Sequence, residues 1–228
     1  MSPHAIPLRL RSTLALALVS VVGVVAFGWP LLASPDSSLA HSADAPYLFG
    51  LLVVLLVAVV LAEIADGGLD AKAVAMLGVL TAVAAVLRPV GGGLTGFSPM
   101  FVVLVLGGRA LGRGFGFVLG AVSMFASAVI TGGVGPWLPF QMLGAAWVGF
   151  GAGCLPRCTG RAEIVLLSAY GAVSGLVYGF LLNLWFWPFL AGDTTSVSFQ
   201  PGEPVHDNLV RFLVFSVTTS LGFDLVRA

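Results

Sequence analysis

Hydrophobic residues in this chain fall in long continuous runs rather than at alternate positions, and the runs are cut by charges, prolines and glycines. A helix needs roughly 20 apolar residues to cross a ~30 Å hydrocarbon layer, whereas a membrane-barrel strand alternates. The runs predict spans near 12–33, 46–64, 71–88, 97–111, 114–131, 138–155, 163–190 and 208–226. The expected fold class is an all-α integral membrane protein with about eight transmembrane helices. The fourth run would cover only about 22 Å, so it is either tilted into a thin region or continued by the irregular glycine segment before it.

Composition agrees with the pattern. Of 228 residues, 58% are hydrophobic and 9% charged, against roughly a quarter charged in an ordinary soluble domain. The formal net charge is zero, so nothing points to nucleic acid. Arg9 and Arg11 precede a first run that is too long for a signal-peptide core and lacks an A-x-A cleavage site, which predicts an uncleaved first span. Basic residues accumulate on cytoplasmic loops. With a cytoplasmic N-terminus, the inside receives Arg9, Arg11, Lys72, Arg109, Arg113, Arg157, Arg161 and Arg227, and the outside keeps Arg88 and Arg211. Both termini are then cytoplasmic in a multi-pass protein of the cell membrane. The loops on either face are too short for a soluble catalytic domain.

The first two runs are generic Leu, Val and Ala sequence, and the link "EIADGGLDAK" separates them from six runs that hold nearly all the intramembrane glycine and polar residues. This predicts two parts, 1–66 and 67–228. In the third run Ala71, Ala75, Gly78, Ala82 and Ala85 recur at helical spacing and form a smooth face that another helix can approach. Gly116, Gly120, Ser123 and Ser127 repeat the pattern, as do Ser168, Gly171, Gly175 and Gly179. Packing inside the bundle and docking of a partner subunit both fit such faces.

Polar groups inside a membrane are costly and point to function. Asn183 stands in "GFLLNLWFWPFL" with Trp185 and Trp187, and Gln141 follows Trp137 in "GPWLPFQ". Amides beside aromatic rings suit a flat or amphipathic organic ligand; an interfacial aromatic belt also accounts for the tryptophans. A phosphate-binding loop is absent, "GFGFVLG" has the wrong spacing for a dinucleotide fingerprint, and the carboxylates Glu63, Asp66, Asp70 and Asp224 fall near span ends. "CLPRC" has no His or acidic ligand beside it, and no histidine lies within reach of Ser174. Neither metal, cofactor nor catalysis is expected.

The outer segment "RPVGGGLTGFSPM" is the most irregular in the chain. Pro89 and Pro99 are expected to end one span and start the next, with Gly91, Gly92 and Gly93 giving backbone freedom between them. It reads either as a plain turn or as a hinged lid offering Thr95, Phe97 and Ser98 to a ligand.

Four features in order carry a resemblance: "AKAVAMLGVLTAVAAVLRP", "FSPMFVVLVLGGRALGRGFGFVLGA", "GPWLPFQMLGAAWVGFGAG", and the long run before the last. Over residues 70–226 the chain resembles the substrate-binding S component of energy-coupling factor (ECF) vitamin transporters. The resemblance implies a six-helix bundle, here preceded by two extra N-terminal helices, that binds a vitamin near the outer surface without catalysis. It implies a lid between the first two bundle helices, here holding Pro89, Gly91, Gly92 and Gly93. It also implies a docking face, Ala71, Ala75, Gly78 and Ala82, for a coupling membrane subunit joined to two cytoplasmic ATPases. "GPWLPFQM" and "FSPMF" look most like the cobalamin-related branch, while a thiamine precursor or another small vitamin fits the same residues. The alternatives are a self-sufficient secondary transporter and a structural or assembly membrane protein.

Overall fold

An apolar run in hydrocarbon must satisfy its own backbone, and a helix does so within one segment. A computed structural model describes residues 10–32, 50–59, 71–91, 98–190, 197–200 and 202–219, and all regular structure among them is helical. In chain order the helices are α1 (Leu10–Phe27), α2 (Trp29–Leu32), α3 (Gly50–Val59), α4 (Ala71–Gly91), α5 (Met100–Leu111), α6 (Arg113–Thr131), α7 (Leu138–Cys154), α8 (Arg161–Leu190) and α9 (Val205–Thr219). Each predicted span contains a helix. Among the described residues three stretches, Ala71–Val90, Arg113–Thr131 and Arg161–Phe189, are long and apolar enough to cross a membrane. The helix in the fourth run, α5, has 12 residues, about 18 Å.

Some boundaries differ from the sequence expectation. Pro89 does not end its helix, because its fixed φ is helical and its missing N–H costs only one bond near the end; α4 continues to Gly91. Pro99 does stand at the start of α5, as its N-cap. Between α5 and α6 lies one residue, Gly112, at φ 105° and ψ 165°, a conformation essentially confined to glycine. The last helix begins at Val205, earlier than expected.

Helix α6 sits at the centre: 67% of its membrane-length window is buried, against 17% for α4 and for α8. It packs antiparallel to α7 at backbone distance, Gly116 facing Gly149 and Gly120 facing Ala145. Gly108 of α5 enters the same junction, where a Cβ would overlap the Gly149 carbonyl. One small-residue stripe is thus spent inside the bundle. Helix α1 lies along α7, also antiparallel: Trp147 Nε1 donates to Ser20 Oγ at 3.0 Å, and Phe27 packs edge-on against Phe140 with ring centres 5.2 Å apart. Trp29 of α2 reaches Phe189 and Phe199, so this N-terminal segment contacts both α7 and the end of α8.

The pole opposite those aromatic contacts is tied by one side chain. Arg109 makes a forked pair with Glu163, 2.6 Å from Nε to Oε1 and 2.8 Å from Nη2 to Oε2. It also donates to the carbonyls of Leu155 and Pro156 at 2.7 and 3.0 Å. Cys158 N donates to Glu163 Oε2 at 3.3 Å, so α5, the α7–α8 link and the start of α8 share one network. Arg109→Lys keeps the charge and loses the planar fork. It is expected to lower the melting temperature in detergent by less than Arg109→Ala does; equal melting of both variants and the parent would remove this role.

Candidate functional site

The start of α7 and the last third of α8 meet at the end of the bundle away from Arg109. Pro139 lies in the first turn of α7, where a missing N–H costs nothing. Trp137 and Gln141, four residues apart, share a helical face, and Gln141 N donates to Trp137 O at 3.0 Å. On α8, Gly179, Leu182, Asn183 and Phe186 recur at helical spacing and face the same space. Together with Trp185 these residues line a cavity of about 420 Å³. Gly179 contributes room by having no side chain. Trp137 is 40% exposed, and its Nε1 donates to Gly133 O at 3.2 Å, which holds the ring at the rim.

The aromatic wall is a connected stack. Trp185 lies 4.6 Å from Phe140 and 5.9 Å from Phe186, the latter nearly parallel at 15°. Trp187, grouped with Trp185 in the sequence, is not part of it. Two residues along a helix turn a side chain by about 200°, and Trp187 is buried on the opposite side. There its Nε1 donates to Val197 O at 2.8 Å and its ring packs on Phe199 and Phe212. It fastens α9 and the segment before it to α8. Asn208 completes that corner, accepting from Gln200 N at 3.1 Å and donating to Gln200 O at 2.8 Å.

Of the other expected site residues, Ser98 lies just before α5, its Oγ buried without a hydrogen-bond partner among the described residues. It is not among the residues lining the cavity. Gly91 ends α4; Gly92, Gly93, Thr95 and Phe97 lie outside the described residues. Ala71, Ala75, Gly78 and Ala82 are all exposed on α4, and nothing lies within 4 Å of a Cβ built on Gly78. Ala85 parts from that row and is buried.

One residue at the site was missed. Arg88, half-buried in the last turn of α4, donates from Nη2 to Gln141 Oε1 at 3.0 Å. Its signal in the sequence was its position: one of only two basic residues expected outside. A smaller cavity, about 190 Å³, lies between α7 and α8 nearer mid-helix. Its polar groups are already engaged: Trp147 with Ser20, Tyr170 with the Val148 carbonyl, Ser174 with the Gly171 carbonyl.

The family described as ECF transporter, substrate-specific component, matches residues 72–223, two thirds of the chain. The chain belongs to the ECF S component family. The match begins at α4 and ends beyond the described part of α9, so it takes in the cavity, Arg88 and the exposed face of α4. S components are substrate-binding subunits of ECF transporters, generally non-catalytic, and work with a membrane coupling subunit and ATPases. No curated protein and no solved structure matches the chain. The family membership and the apolar helices make it a membrane transport protein.

Proposed function

We propose that this S component captures a vitamin or related micronutrient in the cavity between α7 and α8 and delivers it by docking Ala71, Ala75, Gly78 and Ala82 onto a coupling subunit driven by two ATPases. The observation that carries the reading is the convergence of Gln141, Asn183, Trp137 and Trp185 on one 420 Å³ cavity within the stretch matched by the family. Arg109, Arg113, Arg157 and Arg161 cluster at the other pole by sequence and helix direction. Placing that pole in the cytoplasm, with both termini, turns the cavity outward.

The resemblance favoured cobalamin. The cavity is small within the roughly 300–1,000 Å³ range of organic-ligand sites, and its walls are rings and amides. Both features support a compact ring-bearing vitamin over a corrinoid. The lid reading concerns residues mostly outside the described ones and is supported by the glycines between Pro89 and Pro99 and by the resemblance. The helices before residue 66 are proposed to shield the bundle or contact the coupling subunit, and α1 lying along α7 is compatible with the former.

Mass spectrometry of small molecules that co-purify from cells grown in rich medium tests the capture step. The parent protein is expected to retain a compound that the Trp137→Ala/Asn183→Ala double variant loses. Each single substitution should weaken binding about five- to tenfold, by loss of one stacking surface or one hydrogen bond, with the melting temperature unchanged. Retention of the same compound by the double variant at parental affinity would move the pocket elsewhere. Recovery of no vitamin, together with no ATPase partner in a mild-detergent pull-down, would overturn the importer reading.

A further inference from the structure

The described residues that line the cavity are neutral, but one of them, Gln141, is hydrogen-bonded to a cation. Three arginines among the described residues are half-buried: Arg88, Arg109 and Arg211. Two of them have carboxylates. Arg109 is forked onto Glu163, and Arg211 Nη2 lies 3.1 Å from Glu203 Oε2. Arg88 has none among the described residues, and its hydrogen-bond partner there is the Gln141 amide oxygen. A guanidinium carries five donors, and that oxygen takes up one of its N–H groups. Arg88 stands near the outer end of the span Ala71–Val90, and an ionisable group within a span commonly marks a ligand path.

The contact also fixes Gln141. With its carbonyl oxygen turned to Arg88, the amide NH2 is left as the polar group that Gln141 can offer to the cavity it lines. Amide NH2 and guanidinium are both donors, and neither supplies an acceptor. Two adjacent donor groups, one of them charged, complement an oxyanion, and Arg matches the planar geometry of carboxylate or phosphate. We propose that the ligand of this cavity carries a carboxylate or phosphate, bound by Arg88 with the Gln141 amide beside it, while the rings of Trp137, Trp185 and Phe186 hold its apolar body. This deepens the capture reading above and rests on it. Arg88 thereby acts as a specificity residue: it rejects the neutral analogue, whose binding would leave the guanidinium unpaired.

The test compares parent, Arg88→Met and Arg88→Lys proteins in lipid nanodiscs, probed with the compounds that co-purify with the parent and not with Trp137→Ala/Asn183→Ala. At least one such compound is expected to carry a carboxylate or phosphate. Its affinity should fall about tenfold or more in Arg88→Met and less in Arg88→Lys, and esterification or amidation of its acid should weaken binding to the parent and leave binding to Arg88→Met unchanged. This last comparison separates recognition from misfolding, since a merely damaged pocket would still distinguish acid from amide. Retained compounds that are all neutral or cationic would overturn the proposal and leave the capture reading standing. So would an acid bound equally by Arg88→Met. Loss of co-purified phospholipid from Arg88→Met, without loss of the cavity compound, would assign the guanidinium to a lipid headgroup and also overturn it. Absence of any parent-specific compound removes both readings.

Discussion

Gly149→Val is expected to yield almost no folded protein, although it adds only three carbons to an apolar helix in an apolar environment. A Cβ at Gly149 meets the backbone of Gly116, and one at Gly116 meets the backbone of both Gly149 and Gly108, 2.7 Å from the Gly108 Cα. Side-chain ends can rotate away from an intruder, but the obstacles at Gly149 are main-chain atoms of Gly116 on α6. Relief therefore requires the helices to move apart along much of the α6–α7 contact, the packed centre of the bundle. Overpacking costs about 1–3 kcal/mol even where neighbours can adjust, and a folded domain has only about 5–15 kcal/mol in total. Gly149→Ala should already lower stability by on the order of 3 kcal/mol, and Val should exceed what the fold tolerates. Gly171→Ala, at a site with nothing within 4 Å, should be neutral. Size-exclusion recovery and melting in detergent check the series; a monodisperse Gly149→Val protein with parental melting would show that the junction is looser than its backbone distances.

That junction shows what the sequence displays and what it conceals. The stripe Gly116, Gly120, Ser123, Ser127 was visible because its members recur at helical spacing, and Gly116 and Gly120 both face α7. The glycines of α7 carry no such period, because they are divided between two neighbours: Gly144 and Gly151 meet Tyr178 and Tyr170 of α8, while Gly149 and Gly153 meet the backbone of Gly116 and Arg113 of α6. Helix positions were legible for a similar reason, since the hydrocarbon requirement acts on every residue of a run. Pro89 misled because a proline near a helix end costs little. In the cavity, Gln141, Asn183, Trp137 and Trp185 stood out as polar or amphipathic groups in apolar surroundings. Trp187 stood out equally, and only the 200° turn between it and Trp185 sends it to the far side of α8. Arg88 and Gln141 are 53 residues apart, and nothing local in either segment announces that they touch.

The second large effect should appear without any loss of stability. Gly78→Trp is expected to abolish uptake in cells that also express the coupling subunit and ATPases, while ligand binding and melting of the isolated protein stay as in the parent. The reason lies in how α4 divides its faces. Ala73, Leu77, Thr81, Ala84 and Ala85 turn inward and are buried, whereas Ala71, Ala75, Gly78 and Ala82 are exposed and nothing approaches Gly78. Lipid alone does not explain a row of small residues there. Fluid chains accommodate a large side chain as readily as a small one, and the neighbouring exposed positions of the same helix, Val74, Val79, Val83 and Val86, are already larger. Close helix–helix approach in a membrane does require small residues, because association there rests on packing contact. An indole at Gly78 would hold a partner helix several ångströms off and remove that contact along the whole row. Gly78→Ala restores a small surface and should restore uptake, which distinguishes the size of the side chain from the loss of glycine as such. Normal uptake by Gly78→Trp would refute the assignment of this face and transfer the search for the docking surface to the exposed sides of α8 and α9.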